Sequence, residues 1–127
     1  MSKNILEDIT ILVVDNEDKS REELREVFQT AGYNCLSASN GKEALQLLEE
    51  NDVDLVVTDT VMPKFDGVKL AENIRDKYDS RVIMMDSPGG DFTHKDAQAA
   101  GASDFVQKPL DIRELLELVS RLLHKRS

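Results

Sequence analysis

The feature that most constrains the fold is a short apolar run that ends in an acid and is followed by chain-breaking residues. Residues 55–58 read Leu-Val-Val-Thr, and Asp59 follows them. This composition predicts a buried strand, because apolar and β-branched side chains pack well on a pleated surface. Pro63 and Gly67 then favour a turn and the entry to a helix. Ligand crevices of open α/β sheets lie beyond the carboxyl ends of the strands, so Asp59 is the first candidate site residue.

The same pattern of a strand ending in an acid recurs twice more. Residues 9–14 form a near-continuous apolar run that ends at Asp15, and residues 81–85 form another that ends at Asp86. Apolar runs without alternation are typical of strands buried on both faces of a parallel sheet. Residues 33–38 and 104–107 predict two further strands. The first of these is mixed in composition, so we expect it nearer the sheet edge.

Helical patterns separate the predicted strands. Ser20 and Glu23 suggest a capping box for the first helix, and Asn40 and Glu43 suggest one for the second. The remaining helices are expected at about residues 67–78, 93–100 and 111–125. In the last helix, the expected core stripe consists of Ile112, Leu115, Leu116, Val119, Leu122 and Leu123. Leu118 falls off that stripe, so we expect it to be an exposed partner contact.

Five alternating strands and helices predict an α/β fold: a doubly wound parallel sheet with helices on both faces, joined by right-handed crossovers. The 127 residues suit one domain, which we place at residues 9–127 after an N-terminal extension of residues 1–8. We expect no output domain within this length.

Composition excludes several classes of function. The net charge is −9, which argues against direct nucleic-acid binding and against an anionic membrane surface. The first ten residues lack the apolar run that a signal peptide would have, and no apolar run in the sequence approaches membrane-spanning length. The single cysteine, Cys35, cannot form an internal disulfide, so the cytoplasm is the expected location.

The strand-end acids predict a site. In a doubly wound sheet Asp15 with Asn16, Asp59 and Asp86 converge at one edge, and Lys108 after the fifth strand joins them. Carboxylate and amide oxygens without cysteine or histidine favour Mg²⁺ over zinc. A lysine beside them can pair with a carboxylate or with a phosphoryl oxygen.

Four motifs carry a family resemblance. They are residues 11–17 (Ile-Leu-Val-Val-Asp-Asn-Glu), 40–45 (Asn-Gly-Lys-Glu-Ala-Leu), 54–67 (from Asp-Leu-Val-Val-Thr-Asp59 through Met-Pro to Asp-Gly) and 100–109 (Ala-Gly-Ala-Ser-Asp-Phe-Val-Gln-Lys-Pro). Over residues 9–125 the chain resembles the receiver domains of two-component response regulators, which are similar to chemotaxis regulators. The resemblance implies a flavodoxin-like (βα)5 domain with a five-stranded parallel sheet in the order 2-1-3-4-5.

The resemblance also implies roles for residues. Asp59 would be the phosphoacceptor that attacks a phosphoryl group delivered by a histidine kinase and forms an acyl phosphate. Lys108 would contact Asp59 and then the phosphoryl oxygens, and its bond to Pro109 would be cis. The Mg²⁺ ligands would be Asp15, Asn16, Asp59 and the backbone carbonyl of Val61. Phosphoryl transfer requires a metal ion and a cationic side chain, because negative charge develops on the transferred phosphoryl oxygens.

Two positions, Asn16 and Asp86, depart from the family pattern, and a third, Phe105, limits how the switch could work. The family usually has an acid at Asn16, whose amide oxygen can still bind Mg²⁺ but with one anionic charge fewer. At Asp86 the family has Thr or Ser, whose hydroxyl contacts the phosphoryl group. Three outcomes stay open: Asp86 swings away, Ser87 supplies the hydroxyl, or the phosphorylated state is disfavoured. Phe105 occupies the aromatic switch site and, without a hydroxyl, would switch by packing alone.

The implied partners are a sensor histidine kinase or phosphotransfer protein and a downstream effector or output domain. A homodimer through helices four and five is one arrangement that the resemblance allows.

Two other classes of function compete with the phosphoacceptor hypothesis. The first is a pseudo-receiver, a protein-interaction module of the same fold that works without phosphorylation, which Asn16 and Asp86 favour. The second is a phosphatase of the haloacid-dehalogenase type, which needs a second Asp where this chain has Val61. We therefore expect no turnover of external substrates and classify the chain as a signalling switch, not an enzyme.

Overall fold

Five strands alternate with five helices in the computed structural model, which describes residues 9–60, 66–87, 89 and 91–124. The elements, in chain order, are β1 (Thr10–Val14), α1 (Asp18–Thr30), β2 (Asn34–Ala38), α2 (Gly41–Glu50), β3 (Leu55–Asp59), α3 (Gly67–Lys77), β4 (Arg81–Asp86), α4 (His94–Ala99), β5 (Asp104–Gln107) and α5 (Ile112–His124). The predicted N-terminal extension, residues 1–8, lies outside the described residues.

The strands form one parallel sheet in the order β2-β1-β3-β4-β5, which confirms the predicted fold class. β2 lies at an edge, as its mixed composition predicts. Val14 pairs with Thr58, and Asp59 pairs with Met85. The acids that follow or end β1, β3 and β4 therefore meet at the carboxyl edge of the sheet.

Successive residues of the central strands pack on opposite faces of the sheet, because side chains alternate along a strand. Leu12, Val14 and Val56 pack with α2, α3 and α4 on one face, whereas Ile11 and Val57 pack with α1 and α5 on the other. Both faces are covered, which is why these strands are apolar without alternation.

The helix starts agree only partly with the predicted capping boxes. The box expected at Ser20 is wrong, because α1 begins one turn earlier, after Glu17. Asn40 caps α2 as predicted, accepting from the Glu43 amide at 2.9 Å. The Glu43 carboxylate, however, accepts from the Ser39 amide at 2.7 Å, one residue before the cap.

The burial predicted for α5 is wrong at two apolar positions, Leu118 and Ile112. Leu118 is 8% exposed and packs with Leu115 and Val119 against the sheet, so it is not a free contact surface. Ile112, predicted in the core, is 38% exposed. It lies in the first turn of α5, where it lines a surface cavity together with Val27 and Ala31.

Within the described part of the chain, no helix is both long and apolar enough to cross a membrane.

Candidate functional site

The site begins with four buried polar residues, and they are the buried polar or charged residues of the described chain. They are Asp15, Thr58, Asp59 and Thr60, all at the carboxyl ends of β1 and β3. Burying a carboxylate is costly unless a charge or hydrogen bond compensates. Two of them side by side at one sheet edge are therefore a functional candidate rather than part of the core.

Lys108 is the cation that compensates these acids. Its Nζ lies 2.8 Å from Asp59 Oδ1 and 3.2 Å from Asp15 Oδ2. Burial by itself lowers the pKa of Lys108, but the hydrogen bond to Asp59 and the charges of both acids outweigh burial, and the pKa lies above its usual value. The ammonium group thus stays charged at any physiological pH.

The negative charge of Asp59 is less well compensated than the positive charge of Lys108. Burial, the hydrogen bond with Asp15 and the charge of Asp15 raise the pKa of Asp59 to about 7, although Lys108 opposes the shift. A further cation at this place would favour the ionised carboxylate. The electrostatics of the site therefore favour the binding of a metal ion.

The loop after β1 presents Asp15 in a fixed orientation. Asp15 Oδ1 accepts from the Glu17 amide at 2.9 Å, while its backbone carbonyl accepts from Arg21 Nη1 at 2.9 Å. Asn16, between these anchors, is exposed at the mouth of the site. Sequence reasoning missed Arg21, because its guanidinium group contacts a backbone carbonyl that no motif identifies.

A cavity of about 270 Å³ joins these groups. Its lining consists of Asp15, Asn16, Glu17, Asp59, Thr60, Met85, Asp86, Ser87 and Lys108. Among the described residues, every predicted site residue except Phe105 and Pro109 is in this lining. Four acids facing one lysine give the cavity a strong negative potential that suits a divalent cation.

The donor set fits Mg²⁺. No three His, Cys, Asp or Glu side chains converge as a preformed metal cluster among residues 9–60, 66–87, 89 and 91–124. Two adjacent carboxylates, Asp15 and Asp59, and the amide oxygen of Asn16 are hard oxygen donors, and Mg²⁺ usually keeps several waters beside such ligands. Val61, the fourth predicted ligand, lies outside the described residues.

Asp86 lines the same cavity as Lys108, but the ion pairs that Lys108 forms with described residues are with Asp15 and Asp59. Its Oδ1 accepts from the hydroxyl of Thr60 at 2.6 Å, across the ends of β3 and β4. Ser87, the next residue, is exposed. Sequence reasoning missed Thr60, although its position directly after Asp59 was a usable signal.

Gly67 allows the chain to return beside Asp59. A Cβ atom at Gly67 would lie 1.9 Å from the backbone oxygen of Asp59, which no real side chain could do. The Gly67 amide donates to the carbonyl of Thr60 at 2.9 Å. The start of α3 is thereby held against the end of β3.

Phe105 and Pro109 lie outside the cavity. Phe105 is half-buried on β5, with its ring centroid 5.5 Å from Phe92 and 6.0 Å from the ring of His94. His94 in turn lies 3.3 Å from Asp104, which ties α4 to β5. The Lys108–Pro109 peptide bond is cis.

A larger cavity, of about 690 Å³, lies at the amino edge of the sheet. It is lined by exposed groups such as Glu49, Glu50 and Asp52, together with part of α5. The smaller cavity is the candidate site, because the buried acids and the lysine that pairs with them line it.

Comparison with known proteins identifies the family of the chain. The family model for the response regulator receiver domain matches residues 11–120. Over 115 residues the chain is 31% identical to the transcriptional regulatory protein SrrA of Staphylococcus aureus, an alignment that covers 91% of this chain and 48% of SrrA. The chain thus spans about half the length of the curated relatives it matches.

Solved structures of response regulators have the same fold as this chain. A response regulator from Chloroflexus aurantiacus superposes with a TM-score of 0.85 at 31% identity, covering 92% of this chain and 98% of that one. The receiver domain of Francisella response regulator 1452 has a TM-score of 0.84 at 29% identity, with coverage of 92% and 98%. The chain belongs to the response regulator receiver domain family. Receiver domains are switches of two-component signalling, not classical enzymes.

Proposed function

We propose that Asp59 accepts a phosphoryl group from a histidine kinase or phosphotransfer protein. The observation that carries the proposal is the buried carboxylate of Asp59 held 2.8 Å from the ammonium group of Lys108, beside the carboxylate of Asp15. A carboxylate, a cation and an oxygen-donor metal site are what transfer of a phosphoryl group requires.

In the proposed reaction, a carboxylate oxygen of Asp59 attacks the phosphorus atom of a phosphohistidine. The bond from phosphorus to the histidine nitrogen breaks as the bond to Asp59 forms, and the product is an acyl phosphate. Mg²⁺ would supply charge neutralisation on the phosphoryl oxygens. Asp15 and Asn16 would hold that ion with Asp59 and the Val61 carbonyl, and Lys108 would pair with the oxygens facing it.

The proposed output is a change of partner binding. Phosphorylation would alter the surface around α4, β5 and Phe105, where an effector, an output domain or a second copy of the chain would bind. Because Cys35 cannot form an internal disulfide, a reducing cytoplasm suits the proposal. The domain would promote chemistry on itself alone.

Titration with Mg²⁺ and then beryllofluoride, a phosphoryl mimic, tests the proposal by NMR. We expect the amide signals of Asp15, Asn16 and Asp59 to shift with Mg²⁺, and a further set to shift with beryllofluoride. Asp59→Asn should lose the second set of shifts. Unchanged spectra in the native protein would overturn the proposal.

A second candidate, the pseudo-receiver, is favoured by Asn16 and Asp86. Asn16 removes one anionic charge from the metal site, and Asp86 presents a carboxylate where the family has a hydroxyl. If Mg²⁺ at millimolar concentration shifts no signal at Asp15 or Asp59, this second function replaces the first.

A further inference from the structure

Asp86 and Thr60 form a contact that links the two strand ends beside Asp59. Thr60 follows Asp59 directly, and Asp86 follows Met85, the register partner of Asp59. The Thr60 hydroxyl donates to Asp86 Oδ1 at 2.6 Å, a short hydrogen bond of the kind made to a charged acceptor. Thr60 is 3% exposed, so its hydroxyl has few water molecules as alternative acceptors.

The backbone around this pair is fixed up to Asp86. The Thr60 amide donates to the Met85 carbonyl at 2.9 Å, and the Lys108 amide donates to the Asp86 carbonyl at 2.8 Å. Asp86 is the last residue of β4, and Ser87 begins the segment that leads to α4. The side chain of Asp86 is therefore the last one held at the sheet edge before that segment.

No cation of the part of the chain that the structure describes forms an ion pair with Asp86. Among the ion pairs of the described residues, Lys108 is shared by Asp15 and Asp59, and none includes Asp86. The Thr60 hydroxyl is the group that holds its carboxylate in place. A dianionic phosphoryl group on Asp59 would face this carboxylate across a cavity of about 270 Å³. Like charges that line one cavity repel each other, and the repulsion is stronger where protein rather than bulk water lies between them.

We propose that the Thr60–Asp86 hydrogen bond is a latch, closed in the unphosphorylated chain and opened by phosphorylation. The inference rests on the proposed phosphorylation of Asp59. The phosphoryl group repels Asp86, and the Thr60 hydroxyl turns from Asp86 to a phosphoryl oxygen. Asp86 then leaves the end of β3, and the loop before α4 moves with it. The hydroxyl that the family carries at the end of β4 is here supplied from the end of β3, so the loop is pushed away rather than drawn in.

Three variants separate the hydrogen bond from the charge. Thr60→Val removes the hydroxyl and keeps the shape, whereas Thr60→Ser restores a hydroxyl. Asp86→Asn keeps an oxygen acceptor and removes the charge. Matched controls make the same chemical changes elsewhere: Thr10→Val at the amino edge of the sheet, and Asp91→Asn at an exposed position in the loop.

The measurements are NMR of the backbone amides and titration with beryllofluoride in saturating Mg²⁺. Without beryllofluoride, Thr60→Val should move the signals of Ser87, Gly89 and Asp91 toward their positions in the beryllofluoride-bound native protein. Thr60→Ser and Thr10→Val should leave them in place. Asp86→Asn should bind beryllofluoride about tenfold more tightly than the native protein, which Asp91→Asn should not.

Two results would overturn the latch in different ways. If the native protein binds beryllofluoride, but Thr60→Val leaves the loop signals unmoved and Asp86→Asn binds no more tightly, the latch is wrong and the phosphoacceptor function stands. If the native protein, Thr60→Ser and Asp86→Asn all fail to bind beryllofluoride, the phosphoacceptor function is wrong and the latch falls with it.

Discussion

Asp59 destabilises the chain that contains it, because its carboxylate is buried beside Asp15 with Lys108 shared between the two acids. The pKa of Asp59, raised to about 7 by burial and by Asp15, expresses that cost. A protein keeps such a group where function requires it.

The stability of the metal-free protein should therefore depend on pH through Asp59. Between its ordinary pKa and about 7, the folded chain holds a proton that the unfolded chain has released. The contribution of this proton to the stability of the folded chain is complete below the ordinary pKa of an aspartate. It is lost as the pH rises from there through about 7. We expect Asp59→Asn to raise the free energy of unfolding by roughly 2–4 kcal/mol at pH 8 and by much less at pH 4.

Urea unfolding in EDTA at both pH values measures this difference. Asp91→Asn, an exposed acid, serves as the control and should change stability little at either pH. An Asp59→Asn variant that is less stable than the native protein at pH 8 would contradict the electrostatic account.

Gly67 should tolerate no side chain. A Cβ atom would lie 1.9 Å from the Asp59 carbonyl, so Gly67→Ala must displace the start of α3 or the end of β3. We expect a loss of at least ~2 kcal/mol in the free energy of unfolding and weaker binding of Mg²⁺. Thermal unfolding provides the measurement. Gly89→Ala is the contrast: its φ of +88° costs about 1 kcal/mol, but its Cβ would have nothing within 4 Å, so Mg²⁺ affinity should stay unchanged.

At this scale the sequence predicted where Asp15, Asp59 and Lys108 lie, because strand ends in a parallel sheet share an edge. It could not predict the Thr60–Asp86 hydrogen bond. That contact depends on the register of β3 against β4 and on the rotamer of each side chain, neither of which a local pattern specifies.

Among the elements, α5 packs differently from the sequence-based expectation at two positions. Leu118 is 8% exposed and Ile112 is 38% exposed, opposite to the expectation from the helical pattern. We expect Leu118→Ala to cost ~2–4 kcal/mol, because it leaves a cavity against the sheet. Ile112→Ala should cost less than ~1 kcal/mol, since it removes a partly solvated contact.

Denaturant titration of the two variants decides between the two placements of α5. Equal losses, or a larger loss for Ile112→Ala, would mean that the helix presents a different face to the sheet.

The strands were the easiest elements to predict, because runs such as residues 9–14 are apolar enough to need cover on both faces. Helix starts were harder. Ser20 and Glu23 formed an apparent capping box, yet α1 begins at Asp18. Tertiary contacts decided that boundary: Arg21, in the first turns of α1, reaches back to the carbonyl of Asp15.

At the scale of the whole molecule, a net charge of −9 and a cluster of acids at one sheet edge predict stabilisation by divalent cations. A ligand that binds the folded chain alone stabilises it by about 2.7 kcal/mol at a concentration one hundred times its dissociation constant. Mg²⁺ should therefore raise the midpoint of thermal unfolding, and K⁺ at equal ionic strength should not. Asp15→Asn should lose the effect; an equal rise in that variant would indicate non-specific screening.

The most direct test of the central claim, that Asp59 is a phosphoacceptor, is the intact mass of the chain after incubation with Mg²⁺ and acetyl phosphate. The account predicts that the native protein gains the mass of one phosphoryl group and that Asp59→Asn gains none. A native mass that stays unchanged, or the same gain in Asp59→Asn, would contradict it.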